Sequence, residues 1–310
     1  MTVDIGASIL AKLKNKAKAT NTGYQQCLQL FFQEEFLRRL TKSPYAENLI
    51  LKGGLFIYTL TDFKSRATVD IDFMVQYLDN NPEHMGKVIS EIIDVPTGLN
   101  ETVVLEAGKC SPIAMQREYH GVSCQLTGRI KKVRLPFRID IGIGDIIIPK
   151  SEKRSIRTQL EGYDMPEVYT YSLESTIAEK FDAILQRLEL TGRMKDFFDI
   201  YYLARTFDFD GSRLGEAMKE TLRNRGTEYD RESFDRIRRL VDNHDIQMRW
   251  RHFQRTIRAY PYITQVRQYD IKTVYFFKCL EYILKCDMKK LQLNSFLCIS
   301  RHAMLFKDKL

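Results

Sequence analysis

The 310 residues are 44% hydrophobic and 28% charged with only 8 prolines, which excludes a largely disordered chain and predicts a folded protein with more than one domain. No apolar run reaches the roughly 18 residues of a membrane-spanning helix and no signal-peptide stretch is present, so we expect a cytoplasmic protein with no membrane partner. The net charge of +8 is concentrated in residues 213–310, which carry 21 Lys and Arg against 12 Asp and Glu; this surplus favours phosphate-rich partners, although a solvated basic surface explains it equally well.

Two helices are predicted at the beginning of the chain. Residues 5–18 and 24–40 repeat apolar side chains at spacings of three and four, as amphipathic helices do. The apolar stretch that follows is interrupted by Gly53-Gly54, which predicts a turn, and residues 69–75 alternate acidic and apolar side chains, which predicts a strand.

A central sheet is predicted within residues 101–150, which contain several short strand-like runs. One of these runs alternates around Asp140. The pattern changes to helical spacing from Ser172, and a second helix begins near Lys195. We therefore predict one domain over residues 1–165, containing the sheet and the N-terminal helices, and a helical, basic domain over residues 166–310.

The six cysteines include no Cys-x-x-Cys pair and no histidine at zinc-ligand spacing. This pattern predicts reduced and mostly packed thiols, with neither a disulfide framework nor a zinc site. The cysteines are Cys27, Cys110, Cys124, Cys279, Cys286 and Cys298.

The first candidate site combines a glycine pair with two alternating carboxylates. Lys52-Gly53-Gly54 precedes Asp70 and Asp72, which project from the same face of a strand if residues 69–75 are extended. Convergent carboxylates suit Mg²⁺, and glycines let a backbone approach a triphosphate closely. Each feature alone is weak, because Asp-x-Asp is often only a solvated strand edge.

A third carboxylate is expected on a neighbouring strand. Asp140 alternates with apolar neighbours in the way that Asp72 does, and we prefer it to Asp145, which follows two glycines. The simpler interpretation of Asp140 is a solvent-facing residue of a half-buried strand.

Two predicted helices carry further charged residues beside apolar ones. Lys180 lies next to the apolar stripe of its helix and either extends to solvent or contacts a phosphate oxygen. Asp196 and Asp199 share a face with apolar residues of the next helix, so they need partners. An ion pair of either carboxylate with Lys180 or Arg193 is at least as probable a priori as a direct catalytic role, and one acid can serve both.

These elements, in this order, resemble the AbiEii/AbiGii toxin family within the DNA polymerase beta-like nucleotidyltransferase superfamily. The resemblance covers roughly residues 20–205. The matching segments are Lys52-Gly53-Gly54, Arg66-Ala67-Thr68-Val69-Asp70-Ile71-Asp72, Ala178-Glu179-Lys180 and Lys195-Asp196-Phe197-Phe198-Asp199.

The resemblance implies an α+β fold, with a mixed sheet flanked by helices and a helical C-terminal region that helps to form the nucleotide cleft. It implies metal binding by Asp70 and Asp72, with Asp140 as the expected third ligand. The remaining roles that we expect by this analogy are nucleotide binding by Lys52, Gly53, Gly54, Arg66, Thr68 and Lys180, and completion of the catalytic site by Asp196 or Asp199.

The expected activity is transfer of a nucleoside monophosphate from a nucleoside triphosphate to an RNA hydroxyl, with transfer RNA as the expected acceptor. The expected cofactor is Mg²⁺ in a two-metal site, with Mn²⁺ as an alternative. The resemblance also implies a cognate antitoxin, a block of translation and a role in phage defence.

The sequence departs from the superfamily pattern at two places, and two other functions remain as alternatives. Glycine stands at position 54 where many superfamily members have serine, and residues 272–310 match no pattern. A catalytically silent nucleotide- or RNA-binding regulator would bind without forming product, and an enzyme that modifies protein hydroxyls would label protein instead of RNA. His120, His244 and His252 lack partners at metal spacing and are expected to be ordinary surface or packed residues.

Overall fold

The computed structural model describes residues 4–113 and 121–257. Within these residues the chain folds as two compact units. The first contains residues 4–113, 121–145, 151–171 and 256–257, and the second contains residues 146–150 and 172–255. No helix in these two described stretches is long and apolar enough to cross a membrane.

A seven-stranded mixed sheet forms the centre of the first unit, with the strand order β3-β4-β5-β2-β1-β7-β6. β2 runs parallel to β5 and antiparallel to β1, and β1 runs parallel to β7. The strands are β1 (Leu49–Lys52), β2 (Asp70–Val75), β3 (Val103–Pro112), β4 (Val122–Ile130), β5 (Val133–Gly142), β6 (Glu152–Ser155) and β7 (Glu167–Thr170).

Alternation of side chains explains how β2 and β5 support a polar site. Ile71 and Phe73 are fully buried on one face of β2, and Ile139 and Ile141 are fully buried on β5. Since successive side chains of a strand point to opposite faces, the aspartates between these residues project away from the core. The predicted strands around Asp72 and Asp140 are therefore confirmed.

The described residues of the first unit form four helices: α1 (Ile5–Thr20), α2 (Tyr24–Lys42), α3 (Gly53–Leu60) and α4 (Pro82–Asp94). The first two confirm the predicted N-terminal helices. α2 packs so closely on the sheet that a Cβ atom on Gly128 of β4 would lie 2.2 Å from the ring of Phe32. The sequence pattern had not predicted α4, although Asn81 caps it and Pro82 begins it, both typical helix-start signals.

Buried charges tie α2 to its surroundings. Glu35 is fully buried and accepts hydrogen bonds from Arg38 and Arg39 at 2.9 and 3.0 Å. Arg39 also donates to the carbonyl oxygens of Ile93 and Val103. Glu35 and the two carbonyl oxygens thus hold Arg39, whereas Nη1 and Nη2 of Arg38 have no hydrogen-bond partner among the described residues.

The second unit is helical over most of its length, with α5 (Leu173–Leu185), α6 (Met194–Thr206), α7 (Gly211–Asn224), α8 (Arg231–Arg239) and most of α9 (His244–Ile257). Side-chain caps define several of its helix starts: Ser172 caps α5, Asp210 caps α7, and Asp230 forms a capping box with Ser233 at α8. The predicted helices after Ser172 and near Lys195 are confirmed.

One prediction about the cysteines was wrong. Cys110 of β3 and Cys124 of β4 form a disulfide, because the antiparallel register places the two residues directly opposite each other. Cys27 is a buried free thiol, as expected, and burial raises its pKa. Cys279, Cys286 and Cys298 lie outside the described residues.

Candidate functional site

A row of four polar residues crosses one face of the sheet in the first unit. Strand register pairs Lys52 with Asp72, Asp72 with Asp140, and Asp140 with Ser123. Residues paired across neighbouring strands share a face and lie within side-chain reach of each other. The structure therefore brings the predicted Asp72 and Asp140 together, and it adds Ser123, whose hydroxyl donates to Oδ1 of Asp140 at 2.6 Å.

Asp70 lies two residues before Asp72 on β2, so the two carboxylates share this face. Nε of Arg138 donates to Oδ1 of Asp70 at 3.2 Å. The hydrogen bond to Asp70 and the charges of Asp70 and Asp140 raise the pKa of the Arg138 guanidinium. Arg138 was not among the predicted site residues, although the two-residue spacing to Asp140 on an alternating strand indicates the shared face.

The glycine turn fits closely around Asp72. Gly53 has a φ of +70°, which favours glycine, and a Cβ atom built on it would lie 2.1 Å from Oδ2 of Asp72. The amide N–H of Gly54, in the first turn of α3, points at the same oxygen over 3.4 Å. The turn and the carboxylate thus occupy one compact region, and residue 53 has no space for a side chain.

Glycine is required for a steric reason at position 54 as well. A Cβ atom on Gly54 would lie 2.8 Å from both Cβ and Oγ1 of Thr68. The carbonyl oxygen of the next residue, Val69, accepts a hydrogen bond from Gln33 of α2 at 3.0 Å. The segment that carries Arg66 and Thr68 is therefore anchored to α2 beside the first turn of α3.

Lys52 reaches a partner far away in sequence. Its ammonium lies 2.8 Å from Oδ2 of Asp145 and 5.0 Å from the centre of the Tyr171 ring. Both members of the ion pair are largely buried, with side chains 16% and 11% exposed. Asp145, the alternative candidate for the third carboxylate, is thus an ion-pair partner of Lys52, whereas Asp140 lies in register with Asp72.

Asp70, Asp72 and Asp140 supply oxygen atoms of the kind that a divalent cation prefers. Among the residues that the structure describes, no group of three or more His, Cys, Asp or Glu side chains is arranged to hold a metal alone. Mg²⁺ is commonly held by only one or two carboxylates, with phosphate oxygens and water completing its shell. Asp72, Asp140 and Asp70 fit such a shared site, because they combine oxygen ligands on one face with partial exposure.

The second unit contains a separate and more deeply buried ionic cluster. The ammonium of Lys180 on α5 lies 3.1 Å from Asp196 and 2.7 Å from Asp199, both on α6. The two aspartates are 0% and 1% exposed. Burial opposes ionisation of Asp196, but the charges of Lys180 and Arg193 outweigh it, so the pKa of Asp196 is lowered. The expected ion pairs of Lys180 and Arg193 are present.

A neighbouring cluster in the second unit was not predicted. Asp182 is 1% exposed and accepts hydrogen bonds from Arg225 at 3.0 Å and from Thr227 at 2.5 Å. Arg225 also pairs with Glu179 at 3.2 Å. These partners lie more than 40 residues apart, so no local pattern indicated them. His244 and His252 are exposed, and His120 lies outside the described residues.

One protein family and several solved structures are similar to this chain. The family model described as nucleotidyl transferase AbiEii toxin, type IV TA system, matches residues 35–264. MenT4, a nucleotidyltransferase toxin from Mycobacterium tuberculosis H37Rv, is 17% identical with a TM-score of 0.51, covering 89% of this chain and 97% of its own. JHP933 from Helicobacter pylori is 15% identical with a TM-score of 0.47, covering 91% and 99%. No match was found among curated proteins. The likeness to MenT4 extends to the α+β fold with its mixed sheet, so the predicted fold class is confirmed.

Proposed function

Since this chain belongs to the AbiEii family of nucleotidyl transferase toxins of type IV toxin–antitoxin systems, we propose that it transfers a nucleoside monophosphate to an RNA hydroxyl and that transfer RNA is the acceptor. Membership of the family makes the chain a nucleotidyltransferase and implies a nucleoside triphosphate substrate and an antitoxin partner. The acceptor, the metal, the site residues and a role in phage defence are proposals.

The observation that carries the proposal is the row of Asp72 and Asp140 beside the turn at Gly53. An anion at the first turn of α3 meets backbone N–H groups and the positive end of the helix dipole. The carboxylates lie next to that turn, since a Cβ at Gly53 would meet Asp72. A triphosphate bound at the turn would thus present its oxygens beside the carboxylates.

In the proposed reaction, the acceptor hydroxyl oxygen forms a bond to the α-phosphorus of the triphosphate. The bond from that phosphorus to the α–β bridging oxygen breaks, and pyrophosphate leaves. Asp140 takes the proton of the hydroxyl, while Ser123 donates to one of its oxygens and holds its orientation. Asp70 and Asp72, with Asp140, would hold Mg²⁺ or Mn²⁺, which neutralises phosphate charge when bound.

The ammonium groups of Lys52 and Lys180 form ion pairs with different carboxylates. Lys52 is fixed by Asp145 within the first unit, and we assign it to the phosphate-binding turn together with Arg66 and Thr68. Lys180 is fixed by Asp196 and Asp199 within the second unit. The family resemblance alone gives its ammonium a role in triphosphate binding, and the two aspartates would orient the ammonium.

Exposed arginines on α9 support RNA as the acceptor. Arg249, Arg251 and Arg255 are exposed along α9, and exposed arginines bind phosphates without reading sequence. The further basic residues after position 257 lie outside the described part. Replacement of Arg251 and Arg255 by Glu is expected to weaken RNA binding and reduce its dependence on salt.

The experiment that tests the proposal supplies Mg²⁺, total bacterial RNA and each α-labelled nucleoside triphosphate in turn. The wild type is compared with Asp70→Ala/Asp72→Ala and with Asp79→Ala/Asp94→Ala, which removes two exposed aspartates from the same unit. We expect label in RNA with the wild type and the control variant only.

Other outcomes identify the alternatives. Label that follows protein and resists ribonuclease would replace the RNA acceptor with a protein hydroxyl. Nucleotide binding without transfer to any acceptor would favour the silent regulator. Equal labelling by the Asp70→Ala/Asp72→Ala variant would refute the proposed site while leaving the activity in place.

A further inference from the structure

A cavity of about 40 Å³ lies in the first unit, between its first two helices and the segment that follows α3. Its wall includes Lys16 of α1, Leu30 of α2, Tyr58 of α3, and Phe63 and Ser65 from the segment after α3. A buried water needs roughly 10–15 Å³, so the cavity has room for about three waters or for one small organic molecule. None of its residues belongs to the carboxylate row or to the glycine turn, so the cavity is distinct from the proposed nucleotide site.

Two polar groups in the cavity wall have no hydrogen-bond partner among the residues that the structure describes. They are Nε2 of Gln26 and Oγ of Ser65, and the Ser65 residue is only 2% exposed. By contrast, the hydroxyls of Thr20 and Thr22 in the same wall are hydrogen-bonded to each other at 2.8 Å. Because buried donors without a partner are uncommon and costly, these two groups indicate an occupant that supplies hydrogen-bond acceptors.

Lys16 gives the cavity a positive charge. Burial raises the pKa of the Cys27 thiol in the cavity wall, and the charge of Lys16 acts on that thiol in the opposite direction. Glu34 also senses Lys16, but burial raises the pKa of Glu34 to about 8, so that most of this carboxyl group is neutral at pH 7. An occupant that carries a negative charge is therefore favoured.

The apolar part of the wall narrows the choice of anion. The ring of Phe63 packs edge-on against Tyr58, with 5.3 Å between the ring centres, and Leu30 lies in the same wall. Phosphate has oxygens on every side and would leave some of them unpaired against these groups. A carboxylate with a short alkyl chain has both oxygens at one end and only carbon at the other, which matches the wall.

We propose that this cavity is a binding site for a short-chain monocarboxylate of roughly two to four carbons. Its oxygens accept hydrogen bonds from Gln26 and Ser65 and face the ammonium of Lys16. Its alkyl chain packs against Leu30 and Phe63. The inference does not depend on the proposed function, since the two sites share no residue.

The first test compares three probes by calorimetry on the 310-residue chain without nucleotide. We expect saturable binding of propionate. Propionamide has nearly the same shape without the charge and is expected to bind at least about 10-fold more weakly, because hydrogen bonds to a charged acceptor are the stronger ones. Inorganic phosphate is expected to bind at least about 10-fold more weakly as well.

The second test changes the two kinds of polar group. Ser65→Ala removes a hydroxyl that has no partner, so the ligand-free variant should be at least as stable as the wild type and bind propionate about 10-fold more weakly. Lys16→Met keeps the length of the side chain, and loss of the charge should also weaken binding at least about 10-fold. Lys14→Met, at an exposed position of the same helix outside the cavity wall, is the control and should bind as the wild type does.

Thermal unfolding confirms that each variant is folded. If propionate shows no saturable binding at millimolar concentrations, water alone fills the cavity and the inference is wrong. Equal affinity for propionamide or for phosphate would show that the site does not select a carboxylate. Unchanged propionate binding in folded Ser65→Ala and Lys16→Met would place the binding outside this cavity, which overturns the inference too.

Discussion

The carboxylates of the two units differ in how their charge is compensated. In the first unit, Asp70 and Asp140 are partly exposed and each accepts a hydrogen bond from one neighbour, Arg138 or Ser123. In the second unit, Asp196 and Asp199 are almost completely buried and share the ammonium of Lys180. A partly exposed carboxylate keeps lone pairs available for a ligand, whereas a buried one depends on its cation.

Substitutions in these two groups of carboxylates are therefore expected to have different consequences for activity and stability. Loss of a carboxylate on the sheet face should reduce activity and leave the fold intact. Loss of a carboxylate between α5 and α6 should destabilise the helices and affect activity through Lys180. Measuring transfer and unfolding on the same variants separates these effects.

The largest effect is expected from Asp72→Asn, which keeps the shape and removes the charge. We expect transfer to fall by about 1,000-fold, because a charge-stabilising group next to the reacting phosphate is lost. The free energy of unfolding should change by less than about 1 kcal/mol. Steady-state transfer and urea unfolding check this, with the exposed Asp79→Asn as control; a variant that keeps a tenth of the wild-type rate would contradict it.

The second-largest effect is expected from Asp196→Asn. Removing this charge leaves Lys180 and Arg193 with one fewer buried partner, so we expect a loss of roughly 3–4 kcal/mol in the free energy of unfolding. Asp196 has a lowered pKa, so its contribution is present above its ordinary pKa of 3.8 and is lost as the pH falls through the lower folded value.

Urea unfolding at pH 7 and pH 3 checks the Asp196 prediction. The wild type and the variant should differ more at the higher pH. Exposed Asp208, which lies in the same unit, provides the control variant Asp208→Asn. Unchanged stability combined with lost transfer would instead assign Asp196 to the chemistry, and the contrast between the two units would no longer hold.

Local periodicity predicted the parts of the site that depend on neighbouring residues. Period-two alternation placed Asp72 and Asp140 on the outward face of their strands, and helical spacing placed Asp196 and Asp199 on one face of α6. These are short-range consequences of backbone geometry. Because buried carboxylates need partners, Lys180 and Arg193 were the expected ion-pair partners of these aspartates.

Contacts set by strand order and register could not be predicted. Ser123 lies beside Asp140, and Cys110 lies opposite Cys124, only because of the pairing between particular strands. Lys52 and Asp145 are separated by 93 positions. A shift of one residue in register would turn each strand residue to the other face, and one sequence does not fix that register.

Glu34 on α2 is a buried carboxylate that, unlike Asp196, lacks a full set of hydrogen-bond partners. It is 1% exposed, its Oε1 accepts from the backbone N–H of Gln159 at 2.8 Å, and its Oε2 has no hydrogen-bond partner among the described residues. Burial raises its pKa from 4.5 to about 8. Because the folded pKa is raised, the stabilising contribution is present below pH 4.5 and is lost as the pH rises through about 8.

Glu34→Gln, which stays neutral, should therefore gain stability relative to the wild type as the pH rises. We expect the difference in the free energy of unfolding to change by roughly 4 kcal/mol between pH 5 and pH 9. Urea unfolding at both pH values measures it, with the exposed Glu161→Gln as control. A difference that stays constant with pH would show that Glu34 is ionised in the folded protein.

The smallest effect is expected from Ser123→Ala, which alters the orientation of Asp140 without removing a carboxylate. Ser123 is a positioning residue in the proposed reaction, because it contacts Asp140 and not the substrate. We expect kcat to fall by about 10-fold with little change in nucleotide affinity. Ser123→Thr, which keeps the hydroxyl, should recover most of the rate.

Ser111, one strand farther along the same row, provides the matched control, since it is paired with Ser123 and not with Asp140. Ser111→Ala should leave kcat unchanged. Equal losses in both variants would mean that the row responds to any lost hydroxyl. A loss confined to Ser123→Ala would show that a partly exposed carboxylate still needs one fixed neighbour to be correctly oriented, which the buried aspartates of α6 obtain from Lys180.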